Sequence, residues 1–103
     1  EPVGATPSSS NSTPAEVKQI IRDVWPDELE ERAIEIAYRE SRYVPTAQNY
    51  CCYGLFQIYW SVHRTWLDDI GITDGQQLFD PATNARAAYA LYQRAGGWGP
   101  WGV

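Results

Sequence analysis

The sequence predicts a small, mainly helical domain with at most a short β segment around residues 53–58. Capping signals stand ahead of apolar residues at helical spacing, Gly and Pro stand where such stretches stop, and β-prone residues gather in one short run, "YGLFQIYW". With 103 residues, 44% of them hydrophobic and 14% aromatic, the chain suits one domain with a modest core.

Residues 1–12, "EPVGATPSSSNS", are rich in Ser and Pro and lack periodicity. They are expected to form a flexible tail or linker, leaving 13–103 as the domain. Thr13 and Glu16 have the spacing of a capping box, Pro14 suits the first helical position, and Val17, Ile20, Ile21 and Val24 form an apolar stripe. Pro26 stops this first helix.

A second helix is expected from about Asp27 to Glu40, with Leu29, Ala33, Ile36 and Ala37 within one arc of the wheel. Glu40 falls inside the same arc. Glu28, Glu31, Arg32, Glu35 and Arg39 form the solvated side, with Glu28–Arg32 and Glu35–Arg39 spaced as weak ion pairs.

In "YGLFQIYW", Gly54 and its flanks predict a short extended segment and a turn. A third helix is expected from near Ser61, carrying Val62, Trp66 and Ile70 on one face and ending at Gly71. Thr73 and Gln76 repeat the capping-box spacing and open a short helix toward Phe79. Asp80 and Pro81 start a last helix that runs to about Ala95 and ends at Gly96 and Gly97. Its alanines, including Ala85, Ala88 and Ala95, permit close packing.

The formal net charge is −5, and the eight basic residues are scattered. Nucleic-acid binding is excluded on that ground, because neutralising phosphates requires a basic footprint. No apolar run approaches the roughly 20 residues of a membrane span. The sequence begins at Glu1 without Met, which leads to the expectation of an upstream piece such as an export signal.

The two cysteines, Cys51 and Cys52, are adjacent. Neighbouring Cα atoms lie about 3.8 Å apart, below the usual disulfide range of about 4.4 to 6.8 Å. A vicinal bridge and a pair of packed thiols both stay open at this point. A zinc site would need further ligands that nothing in the sequence positions.

Glu40 is the candidate for chemistry. A carboxyl in an apolar setting resists ionisation and so stays able to donate a proton, the requirement for a general acid. Phe56 and Trp66 are expected in the core, whereas Tyr59, Trp60, Trp98 and Trp101 cluster beside glycines and polar residues as a cleft wall on which sugar rings stack. An acid beside such a wall suits cleavage of a glycosidic bond. His63 falls beside Val62, Trp66 and Ile70 on the third helix and is expected to be tucked away, because no nucleophile or metal-ligand spacing accompanies it.

Three stretches carry a family resemblance: "RES" at 39–41, "YGLFQI" at 53–58 and "DPATNARAAYALYQRAGGWGPW" at 80–101. The chain after residue 13 resembles the lysozyme-like transglycosylase domains of the soluble lytic transglycosylase and goose-type lysozyme superfamily, especially short secreted actinobacterial versions. The resemblance implies a lysozyme-like fold. It makes Glu40 the match to the catalytic acid and Ser41 the match to the small polar residue after it. Gly54 to Ile58 match the motif lining the cleft, with Gln57 holding sugar and acid in register. Asn84 and the Gly96–Trp101 segment match the far wall. The family's Ala-Tyr-Asn-Ala-Gly signature is replaced here by "QRAGGWG", which leaves Tyr89 or Tyr92 as substitutes for the missing hydroxyl.

Glycosidases usually use two carboxyl groups, and the sequence offers no clear second one. Asp80 reads as a helix cap, and Asp68 and Asp69 as solvated. The resemblance implies a mechanism without it, in which Glu40 alone is acid and base and the substrate's own N-acetyl and 6-hydroxyl groups complete the displacement. The expected activity is cleavage of the MurNAc–GlcNAc β-1,4 bond of peptidoglycan by a secreted or wall-associated monomer that acts on glycan strands without a cofactor. A non-catalytic wall-binding module of the same fold and a helical interaction domain are the alternatives.

Overall fold

The computed structural model describes residues 12–103. Apart from Ser12, the expected tail lies outside the described residues. Helix α1, Pro14–Val24, begins as its sequence predicts: Thr13 Oγ1 accepts from the Glu16 amide at 3.2 Å, and the Glu16 carboxylate accepts from the Thr13 amide at 2.7 Å. Helix α2, Asp27–Ser41, follows directly after Pro26. Val17 and Ile21 from α1 and Ala33, Ile34, Ile36 and Ala37 from α2 enter the core, while Leu29 is only partly buried. Arg22 links the two helices by pairing with Glu30 at 3.7 Å and Glu31 at 3.1 Å. On the solvated side, Arg32 pairs with Glu35 at i,i+3 in place of the expected i,i+4 Glu28, the two spacings being alternatives on one helix face. Arg39 pairs with its neighbour Glu40 in place of the expected Glu35.

Strands β1, Cys52–Tyr53, and β2, Ile58–Tyr59, form an antiparallel pair in the register Cys52 to Tyr59 and Tyr53 to Ile58. The turn between them is buried at Gly54, Leu55 and Phe56. The Gly54 amide bonds the Ala47 carbonyl and the Gln57 amide the Gly54 carbonyl, and side chains must satisfy others that lie outside the two-residue ladder. Asn84, fully buried on the last helix, does so. Its Oδ1 accepts from the Phe56 amide at 2.9 Å, and its Nδ2 donates to the carbonyls of Tyr53 at 2.8 Å and Leu78 at 2.9 Å. On the other side, Trp101 Nε1 donates to the Phe56 carbonyl at 2.9 Å. Gly54 has φ +82°, and a Cβ there would collide with the Asn84 side chain and the Leu78 carbonyl. Only glycine fits.

Helix α3, Trp60–Leu67, continues as a 3-10 turn at Asp68–Ile70, and Gly71 closes it in the left-handed region. The face that packs differs from the expected one. Leu67 is buried and Trp66 half-buried, whereas Val62 and Ile70 are exposed. The change to 3-10 winding after Leu67 moves Ile70 off the α-helical wheel, and the buried Ile72 beyond Gly71 fills the core instead. A second 3-10 stretch, Gly75–Phe79, is capped by Asp74 and Gln77 rather than by Thr73 and Gln76; Asp74 Oδ1 accepts from the Gln76 amide, and Gln77 Oε1 accepts from the amides of Thr73 and Asp74. The expected cap is therefore displaced by one residue. Asp can bond its own backbone two residues on, and Gln77 serves two amides at once.

Helix α4, Pro81–Ala95, has the predicted bounds, with Asp80 Oδ2 accepting from the Thr83 amide at 3.0 Å and Gly96 ending it at φ 76°. Ala85, Ala87 and Ala88 are buried against the other elements. Ala95 is exposed, as are residues 93, 94 and 96, because the last turn runs past the core. Trp25, 2% exposed, is the aromatic centre of the domain. Phe56, Tyr89, Tyr92 and Trp98 surround it at centroid distances of 5.1 to 5.7 Å.

Replacing Asn84 with Ala strands one buried amide and two buried carbonyls, each unpaired group costing about 1–3 kcal/mol. Denaturant unfolding of Asn84→Ala is expected to show a loss of about 3 kcal/mol or more, and a loss under about 1 kcal/mol would mean that the turn is held by something else.

Candidate active site

The end of α2 sets the position of Glu40. Ser41 Oγ donates to the Ala37 carbonyl at 3.0 Å, and the Arg42 amide donates to the Tyr38 carbonyl at 2.8 Å. Arg42 and Tyr43 then take φ values of 55° and 65°. Two successive non-glycine residues in this sparsely populated region turn the chain sharply away. Glu40 thus projects from the last turn of α2, at the edge of the buried face. It points into a cleft of about 480 Å³, within the range of about 300–1,000 Å³ common for small-molecule sites.

The carboxylate is not enclosed by apolar side chains, as its place on the wheel implied. About a quarter of the side chain is exposed, and Arg39 Nη2 lies 3.2 Å from Glu40 Oε2. The same Nη2 donates to the Trp101 carbonyl. The Arg39 guanidinium therefore ties the carboxylate to the C-terminal turn Gly99–Trp101, a role its apparent place on the solvated side concealed.

The opposite wall comes from the β1–β2 turn. Gln57 sits at φ 50°, and its Nε2 donates to the carbonyls of Ala47 at 3.1 Å and Gly54 at 2.9 Å. The donor end of the amide is thereby occupied with holding the turn, and Oε1 keeps no hydrogen bond among the described residues. Cys51 and Cys52 form a disulfide, which decides between the two alternatives left by the sequence. The disulfide, Tyr59 and Asn49 all line the cleft.

His63 also lines the cleft, instead of being tucked into the core. Its Nδ1 accepts from Trp66 Nε1 at 3.1 Å. Indole is a donor only, so Nδ1 carries the lone pair and the neutral ring has its proton on Nε2. Burial, and then the nearby Arg94 charge, push the His63 pKa below its ordinary value. Arg94 also stands over the Trp66 ring at 4.6 Å.

The structure thus brings together Glu40, Gln57, Tyr59 and Trp101 of the predicted site residues. It does not bring the others to the cleft. Ser41 is buried against its own helix, and Asn84 spends its whole side chain on the turn. Trp60 borders a different depression with Arg64 and Asp68, and Trp98 stacks on Trp25 with planes 7° apart. Tyr89 and Tyr92 pack on Trp25 as well and do not line the cleft. Cleft residues that the sequence did not assign to the site include the polar Asn49 and His63, the Cys51–Cys52 pair, and Leu91, Pro100 and Gly102; the adjacent cysteines and the His63–Trp66 spacing are the visible signals.

A family model described as a lysozyme-like domain matches residues 25–103, which include every element of the cleft. The chain belongs to this lysozyme-like domain family. Comparison with curated proteins and with solved structures found no match. The lysozyme-like domain is a peptidoglycan-related glycosidase fold, and the mainly helical architecture with its two-stranded sheet agrees with it.

Among the described residues, Glu40 is the sole carboxylate lining the cleft of this lysozyme-like domain. Asp74 and Asp80 are helix caps elsewhere, and Asp68 and Asp69 are exposed on the turn after α3. No group of three or more His, Cys, Asp or Glu among the described residues is arranged to hold a metal ion, and no helix there is long and apolar enough to cross a membrane.

The chain has one histidine, so its ring signal needs no assignment by mutation. An NMR titration is expected to give His63 a midpoint below 6.5. Because the folded value lies below the unfolded one, the neutral ring's contribution to stability is full above about pH 6.5 and is lost as pH falls through the folded midpoint. A midpoint at or above 6.5 would contradict the half-buried setting of the His63 ring.

Proposed function

We propose that the domain is a peptidoglycan-cleaving glycosidase of the lytic transglycosylase or muramidase type, acting as an extracytoplasmic monomer on the MurNAc–GlcNAc β-1,4 bond with Glu40 as its single acid and base. The observation that carries the reading is one carboxylate in a cleft that is also lined by Gln57, Tyr59 and the largely buried Trp101. A second carboxylate, needed to activate water or to form a glycosyl-enzyme, is missing from the lining described.

Glu40 donates its proton to the bridging oxygen, the bond to the anomeric carbon breaks, and the sugar on the far side leaves with its hydroxyl restored. The carboxylate formed then takes a proton from the incoming nucleophile. That nucleophile is the 6-hydroxyl of the same sugar, giving a 1,6-anhydro end, or water, giving a reducing end. A strand seated in the cleft displaces water from around the reacting bond. Arg39 positions the carboxylate without touching substrate. An extracytoplasmic location suits both the substrate and the Cys51–Cys52 disulfide.

The Arg39–Glu40 ion pair favours one second reading, a wall-binding module in which the carboxylate stays engaged with its cation. Purified sacculi distinguish the two. The native chain is expected to release muropeptides, and Glu40→Gln to release them about a hundred-fold or more slowly, the usual effect of losing a general acid. Equal release by both proteins would remove the enzymatic reading, while pelleting with sacculi without release would favour the module.

A further inference from the structure

The Cys51–Cys52 bridge is not explained by stabilisation of the fold. A disulfide acts mainly by closing loops in the unfolded chain, and its effect grows with the length of the loop. Between neighbours, with a sequence separation of 1, it closes the smallest loop available and joins no two elements.

Its surroundings are nevertheless built to hold it still. Asn49 Oδ1 accepts from the amides of Cys51 at 2.9 Å and Cys52 at 3.0 Å, and the Asn49 amide donates to the Cys52 carbonyl at 3.1 Å. Cys52 stands in register with Tyr59 across the strand pair. Both cysteines are half-exposed, and the face they show borders the cleft that holds Glu40 and Gln57.

We propose that the ring closed by this disulfide is a substrate-contact plate, an apolar surface against which the C–H face of a sugar ring in the glycan strand packs. The proposal rests on the glycan-binding reading given above and assigns Cys51 and Cys52 a part in substrate affinity. Two sulfurs locked in one ring present apolar, polarisable surface at no further loss of rotamer freedom when the sugar arrives. Two separate thiols would have to be ordered first, so reduction weakens binding without unfolding the domain. Dithiothreitol supplies the two electrons and two protons that convert the bridge to two thiols, and closes to its own cyclic disulfide.

The test uses the full chain carrying Glu40→Gln, so that no turnover disturbs the measurement, with soluble uncross-linked peptidoglycan glycan strands as the probe. Calorimetry is expected to show about ten-fold weaker binding after reduction, the effect of two side chains left to be ordered. Reoxidation should restore the affinity, and Cys51→Ser with Cys52→Ser should reproduce the reduced value, with melting temperatures nearly unchanged. Equal affinities in the two redox states overturn the proposal, as does no binding in either. Affinity and melting temperature falling together would assign the bridge to the fold and overturn it as well. Muropeptide release by the native protein is scored separately: release with redox-independent binding removes the plate alone, and redox-dependent binding without release removes the enzymatic reading alone.

Discussion

Backbone groups of a buried turn and of the segments beside it need partners other than water, and one side chain supplies three of them. Asn84 ties Tyr53 and Phe56 of the strand pair and its turn, and Leu78 of the second 3-10 stretch, to α4, and the collision awaiting any Cβ at residue 54 shows how closely these segments approach. An amide is the side chain that fits, since it offers donors and an acceptor at its end without a charge to bury. The arrangement resembles a small polar network that is fully satisfied, the condition under which burial of polar groups rigidifies a core instead of weakening it.

The cleft inherits its shape from that anchor. With the turn fixed, Gln57 is held in its left-handed conformation with its Nε2 on two carbonyls. The strand pair then carries Cys52 and Tyr59 side by side on the wall. Trp101 closes the remaining side by bonding the Phe56 carbonyl, and its own carbonyl receives Arg39. A chain of hydrogen bonds therefore runs from α4 through the turn and the C-terminal segment to the guanidinium beside Glu40. Each link restricts the next, which is how a domain of modest core fixes the place of one carboxylate.

Local signals were legible in the sequence, and long-range pairings were not. Capping boxes and the Pro and Gly stops gave the bounds of α1 and α4, because they depend on neighbours a few residues away. That Glu40, Gln57, Tyr59 and Trp101 line one cleft was legible as well: Glu40, Gln57 and Trp101 lie in stretches that resemble the family, and Tyr59 belongs to the aromatic run directly after one of them. The sequence points to Asn84 as a cleft residue, whereas the groups it bonds lie on other elements. Trp98, expected in the cleft wall, stacks on Trp25 of a distant part of the chain. Arg39 fell on the solvated side of the wheel, and its carbonyl partner is 62 residues away in the chain. On α3 the wheel assumes one winding throughout, and the tightening after Leu67 takes Ile70 off the expected face.

The proposed chemistry requires a bridging oxygen within reach of the Glu40 carboxyl. A crystal structure of the Glu40→Gln variant with a bound glycan strand is the decisive measurement. The oxygen between two sugar rings is expected within about 2.6–3.2 Å of the substituted amide, with a neighbouring ring against Tyr59. A strand bound elsewhere on the surface, or one crossing the cleft with its bridging oxygens far from position 40, would rule that chemistry out.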